Sequence, residues 1–238
     1  MRIHTVVRPK AEKYGQALHR LYGQCSAETC DVIVVLGGDG AMLHAVQSYL
    51  IYQKPFYGLH FGSYGALMNP PYDPEQLMDR LVQAYPYVFH PLAFTAETHM
   101  GEVMKGHAIN EIALQRSTYH VIKWDTYVED SIMLPLAWGD GMMVSTPLGS
   151  RAYNASAKGP VLSAQVPALV LTPLCVCHPQ GWPSHVIPES SSVTWRVHDP
   201  VHRPASLGAD VLAFQDIVKA KVYMDFSCSI TFLYDVKR

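Results

Sequence analysis

The chain has 238 residues, with 18 Lys and Arg against 20 Asp and Glu and a formal net charge of −2. That near balance argues against a broad nucleic-acid or anionic-membrane surface, and no run of about 18 apolar residues is present to span a bilayer. Five cysteines without framework spacing fit a reduced, cytoplasmic compartment, and the start "MRIHTVVRPKAEKYG" lacks the long apolar core of a signal peptide.

In chain order, His4 to Arg8 reads as a short buried strand, and Tyr14, Ala17, Leu18 and Leu21 recur at helical spacing. "DVIVVL", from Asp31, is β-branched and apolar throughout, as in a parallel strand covered on both faces. Met42, Ala45, Val46, Tyr49 and Leu50 form the next helical face, and Phe56 to Phe61 the third strand. Asp73, Pro74 and Gln76 read as N-cap, first-turn proline and far end of a capping box, with Leu77, Leu81 and Ala84 as the buried side of that helix. The order predicts right-handed crossovers and a doubly wound parallel α/β domain.

After about residue 90 the pattern becomes short apolar or alternating runs broken by Gly, Pro, Asn, Asp or Ser: "HAINEIAL", "HVIKWDTYVED", "IMLPLAW", "GMMVST", "ALVLTPL", "SVTWRVHD" and "IVKAKVYM". This is the signature of an antiparallel, β-sandwich-like domain. One helix is expected near "SRAYNASAKGP", stopped by Gly159–Pro160. The division predicted is an α/β domain over 1–92, a β-rich domain over 93–225, and a C-terminal strand over 226–238 able to return to the first domain.

"GGDG" follows the second strand. Glycines at the carboxyl end of a parallel strand let phosphate oxygens approach the backbone, and the amides of the next helix add positive potential. A carboxylate among them is repelled by phosphates but suits a hydroxyl about to be phosphorylated, whose proton Asp39 could take. The bland reading is a tight strand-to-helix turn with Asp39 as N-cap. Neither a P-loop nor a G-x-G-x-x-G fingerprint is present.

Two further stretches, "AINEIALQR" and "GDGMMVSTPLGSRAYNASAKGP", stand in register with "GGDGAML". Together they resemble the NAD kinase family, whose pattern is G-G-D-G-T, then N-E, then D-G-x-x-x-S-T-P-x-G-S-T-A-Y. The resemblance runs from about Asp31 to beyond Pro160, and more loosely through "LTPLCVCHP" and "SLGADV". It implies transfer of the γ-phosphoryl group of ATP, with Mg²⁺, to the 2′-hydroxyl of the adenosine ribose of NAD. It implies that Asp39 is the general base, that Gly37, Gly38 and Gly40 face the phosphates, and that Asn110 and Glu111 bind the substrate. It also implies that Asp140 approaches the nicotinamide side, that Thr146, Ala152 and Tyr153 line the adenine end, and that the protein is a homo-oligomer, dimer or tetramer.

The sequence departs from that pattern at four places. Ala41 replaces a threonine in the loop. "GSYGALMN" stands for G-x-x-G-F-L, so Gly65 keeps the second glycine of a nucleotide-contacting loop while Ala66 replaces an aromatic, with Tyr64 as a filler for that space. Leu148 and Arg151 occupy small or polar positions; Arg151 could reach a phosphate, stack on a base or point to solvent. His44, one turn past Gly40, could contact a phosphate or be a partly buried polar residue. Cys175, Cys177 and His178 lack a second ligand pair, so no metal site is expected. Two other readings stand beside a NAD kinase: a lipid or sphingoid-base kinase with the same loop, and a pyridine-nucleotide-binding protein with weak transfer activity.

Overall fold

The computed structural model describes residues 1–62 and 65–237; Tyr64 lies outside them. In chain order the elements are β1 (Ile3–Val7), α1 (Glu12–Tyr22), β2 (Val32–Gly37), α2 (Asp39–Tyr49), β3 (Phe56–His60), α3 (Leu77–Gln83) and β4 (Tyr85–Phe89). Then follow β5 (Leu92–Thr98), β6 (Val103–Ala108), β7 (Glu111–Arg116), β8 (Ile122–Val128), β9 (Ser131–Gly139) and β10 (Gly141–Ser145). The four-residue α4 (Tyr153–Ser156) precedes β11 (Ala168–Leu174), β12 (His185–Pro188), β13 (Val193–His198), β14 (Ala205–Ala209), β15 (Leu212–Phe214), β16 (Ile217–Met224) and β17 (Ile230–Tyr234). The chain divides into two compact units, Met1–His90 with Ser227–Arg238, and Pro91–Phe226.

The first unit is an α/β sheet in the order β1-β2-β3-β17-β4. Its first four strands run parallel and β4 runs antiparallel to β17. Every residue of β2 is buried, as a strand covered on both faces must be. On one face Val32, Val34 and Leu36 pack with Leu18 of α1 and Leu77 and Leu81 of α3. On the other, Tyr49 of α2 meets His4 edge-on, ring centroids 5.0 Å apart. Leu21 is exposed, contrary to the helical face read from spacing, and Gly15 and Leu18 are the buried positions of α1. Asp73 caps the turn before α3 by accepting the N–H of Glu75.

A polar cluster fastens the returning C-terminal strand. The Asp235 carboxylate accepts from Tyr57 Oη at 2.5 Å and pairs with Arg80 at 3.3 Å. Tyr72 donates to Tyr57, and the Asn69 carboxamide links Leu233 O to the Asp235 N–H. Burial, then the bond to Asp235, pushes the Tyr57 phenol far above its ordinary pKa, so it stays a donor. Asn69 and Tyr72 belong to the connection that leaves β3, so the cluster also anchors the loop beginning at Gly65.

The second unit is a sandwich of two antiparallel six-stranded sheets, β12-β11-β10-β7-β14-β15 and β6-β5-β16-β13-β8-β9. Their inner faces share one core that includes Phe94, Trp124, Trp195, Leu114, Met142, Val144, Leu169 and Leu207. β10 shows no alternation because its outer face is covered too: Met143 packs with Ala113 and Leu174, against Ala157 just beyond α4. The helix foreseen over "SRAYNASAKGP" is broken in two, a 3₁₀ turn at Gly149–Arg151 and then α4.

Trp124 and Trp195 are both fully buried. Trp124 Nε1 donates to Thr126 Oγ1 at 3.1 Å, whereas Trp195 Nε1 has no acceptor among the described residues. Trp124→Phe should therefore destabilise the fold by about 1 kcal/mol more than Trp195→Phe, a difference readable by urea unfolding.

Candidate active site

Asp39 is the first residue of α2, and Gly38, with extended backbone, is the N-cap. The Asp39 carboxylate does not cap its own helix. It reaches instead to the loop after β3, where Oδ2 accepts the Ala66 N–H at 2.7 Å and Oδ1 the Leu67 N–H at 3.0 Å. Each oxygen keeps a further lone pair, and the residue is half-exposed. Gly65 is needed for this closure, since a Cβ there would stand 2.5 Å from Asp39 Oδ1. The N–H of Ala41 and that of Met42 bond Gly38 O, and the buried Ala41 methyl fills the space beside Gly37. Gly40 and His44 are exposed; His44 is not the partly buried residue that one reading of the sequence allowed.

In the second unit the chain bends at Ile109–Asn110, between β6 and β7. The three successive N–H groups of Ile109, Asn110 and Glu111 are all accepted by one carboxylate, that of Asp210, at 2.6, 2.8 and 3.2 Å. The carbonyls of the bend are taken from the other side. Thr146 Oγ1 donates to Ile109 O at 2.7 Å, and the Thr146 N–H to Asn110 O at 2.9 Å. Ser145 Oγ adds a bond to Asn110 O. Gly149 comes so close to Asn110 O that no side chain fits there, and its N–H is accepted by Thr146 Oγ1. The Thr146 hydroxyl is thus spent on the backbone. The bend removes the difficulty that two neighbouring strand residues face opposite sides. Asn110 is buried, and Glu111 Oε2 is closed off from solvent with no partner among the described residues.

The segment after β10 is fixed by buried polar side chains. Asn154 donates to Ser150 O and Pro160 O and accepts from Thr172 Oγ1 at 2.6 Å. Ser150 Oγ donates to Pro147 O and accepts the Leu162 N–H. This segment forms one wall of a cavity of about 810 Å³, whose lining includes Gln115, Arg116, Asp140, Tyr153, Lys158 and Cys175. Its volume suits a small organic ligand, for which roughly 300–1,000 Å³ is usual. Asp140 is paired with Arg116, Nε to Oδ1 at 2.7 Å, and Gln115 donates to Tyr153 Oη at 3.0 Å. Arg151 is exposed at the end of the 3₁₀ turn and Ala152 is half-buried beside it. Among the described residues no three His, Cys, Asp or Glu converge as metal ligands.

Sequence reasoning missed Asp210, Asn154 and the Arg116 partner of Asp140. Asp210 was visible only as an acid closing an apolar run, "SLGAD", and nothing local ties it to a bend about a hundred residues earlier.

The chain thus carries a glycine–aspartate turn on an α/β unit and a polar cavity on a β-sandwich unit. Residues 109–217 match the ATP-NAD kinase C-terminal domain. A NAD kinase of Zymomonas mobilis is 36% identical over 229 residues, 95% of this chain and 88% of that protein. Yeast NADH kinase complexed with NADH superposes with a TM-score of 0.83 at 20% identity, over 98% of this chain and 83% of that one. A NAD kinase from Archaeoglobus fulgidus in complex with ATP gives 0.76 at 23% identity, over 98% and 93%. The chain belongs to the NAD kinase family.

Burial, then the charge of Asp210, lifts the Glu111 carboxyl from 4.5 to about 8. Burial also raises Asp210 itself, against the three amides that lower it. A carboxyl raised on folding binds more protons in the native state, so its stabilising contribution is whole below the ordinary carboxylate range and is lost as pH climbs to about 8. Glu111→Gln lacks this titration. Its melting temperature should gain on that of the parent between about pH 5 and about pH 9, as differential scanning fluorimetry would record.

Proposed function

We propose that this protein is a NAD kinase that transfers the γ-phosphoryl group of ATP to the 2′-hydroxyl of the adenosine ribose of NAD, giving NADP and ADP. The observation that carries the reading is the Asp39 carboxylate, fixed by two loop amides instead of being used as a helix cap. Family membership and the fold shared with a NADH-bound and an ATP-bound kinase support the two substrates.

Phosphoryl transfer needs positioning and neutralisation of charge more than covalent help. Asp39 accepts the proton of the 2′-hydroxyl as that oxygen bonds to the γ-phosphorus and the bond to ADP breaks. Gly37, Gly38 and Gly40, with the first amides of α2 and Gly65, face the phosphates. Bound together with ATP, Mg²⁺ would supply neutralisation of the phosphate charge. Asn110 and Glu111 hold the NAD, Asp140 serves the nicotinamide side, and Thr146, Ala152 and Tyr153 shape the adenine end. His44 and Arg151, both exposed cations or potential cations, serve phosphate. The reading also assigns a cytoplasmic location, in keeping with five free cysteines, and a homodimer or tetramer, for which β12 offers an edge strand.

The test is NADP formation by the purified protein with ATP, Mg²⁺ and NAD. Asp39→Asn should lower kcat by about 10²–10⁴-fold with little change in NAD affinity. Gly65→Ala should lower kcat in the same direction while the protein stays folded, because the new methyl displaces the Asp39 carboxylate. Absence of NADP with the parent protein, or full activity in Asp39→Asn, overturns the reading; labelled lipid in place of NADP would redirect it to a lipid kinase.

A further inference from the structure

We infer that Asp210 is a positioning residue that presents the Asn110–Glu111 pair to the dinucleotide. The inference rests on the reading of that pair as ligands of NAD.

In an extended strand successive N–H groups point to opposite sides. Three in a row can meet one acceptor only if the chain bends, and the bend exists because Asp210 supplies that acceptor. The regular pairing of β7 with β14 ends at Ile112 opposite Ala209. One residue further, Asp210 leaves the strand with φ +50°, a conformation that aspartate tolerates better than most side chains. Its own N–H still bonds Glu111 O, so the carboxylate is carried to the bend by a fixed backbone. Thr146 and Ser145 take the carbonyls of the bend. The main-chain polar groups of Ile109 and Asn110 are all consumed, and what is left over is the pair of side chains. The Asn110 carboxamide takes no part in the clamp, and Glu111 Oε2 has no partner among the described residues. A bend built only for stability would have no use for a buried carboxyl oxygen left without a donor, since that carries a cost; one built to display a ligand pair would.

The experiment compares Asp210→Ala and Asp210→Asn with the parent enzyme, using Asn110→Ala as a control. The readouts are NAD affinity by calorimetry, KM for ATP, kcat, and amide hydrogen exchange at 109–111. Asp210→Ala should weaken NAD about tenfold or more, the effect of losing charge-assisted hydrogen bonds. It should leave KM for ATP within about twofold and speed exchange at all three amides. Asp210→Asn, whose single carbonyl oxygen can replace only Oδ1, should restore part of the NAD affinity and leave the Ile109 amide fast. Parent-like NAD affinity in folded Asp210→Ala, or equal weakening of NAD and ATP, overturns the inference. Should Asp210→Ala fail to fold, Asp210→Asn decides: parent-like NAD affinity with a fast Ile109 amide overturns it as well. If Asn110→Ala weakens NAD and the Asp210 variants do not, the inference alone falls. If neither weakens NAD, the reading of the pair as NAD ligands falls with it.

Discussion

The carboxylate of Asp39 is the centre of the first unit's loops. Two consecutive N–H groups of the connection leaving β3 would otherwise need water; instead each bonds one Asp39 oxygen. A charged acceptor makes stronger bonds to amides than a neutral one, and two together fix the orientation of the group as well as its place. Other local features follow from that grip. Gly65 must lack a side chain, the helix must be capped by the extended backbone of Gly38, and the loop's far end is tied down by Asn69 and Tyr72 to β3 and β17.

The second unit uses the same device with one more donor. Asp210 gathers three amides, and Thr146 and Ser145 gather the carbonyls that face away from them. In both units an aspartate organises backbone from a distant stretch of chain, Ala66–Leu67 in the first and Ile109 to Glu111 in the second. The cost is electrostatic. Burial raises both carboxyls, and the charge of Asp210 raises that of Glu111 further, a departure that a merely structural bend would avoid.

The cavity of the second unit is lined largely by polar side chains, among them Gln115, Arg116, Asp140 and Lys158. Arg116 and Asp140 neutralise each other at its wall, and half-exposed pairs of this kind contribute only about 0–1 kcal/mol to stability. The ion pair leaves the carboxylate of Asp140 at the cavity wall with its charge partly offset. Asn154, Ser150 and Thr172 brace the segment after β10 through bonds that use both polar atoms of the Asn154 side chain.

The sequence by itself determined the class of each half. The uninterrupted apolar run of β2, the alternating runs after residue 90 and the glycine–aspartate turn are local patterns, and local patterns report local structure and the sidedness of burial. It also brought the residues of three motifs into register. Tertiary structure alone decided what those residues touch. Asp39 could be read as a helix cap until the loop at Ala66–Leu67 was seen to claim its oxygens. Leu21 looked buried by spacing, but α1 turns Gly15 and Leu18 inward. The Thr146 hydroxyl turned out to be occupied by Ile109 O and the Gly149 N–H. Asp210 had no visible role, because its three donors lie about a hundred residues away. Hydrogen bonds between stretches so far apart leave no periodicity behind them, since the donors are backbone amides that every residue but proline possesses.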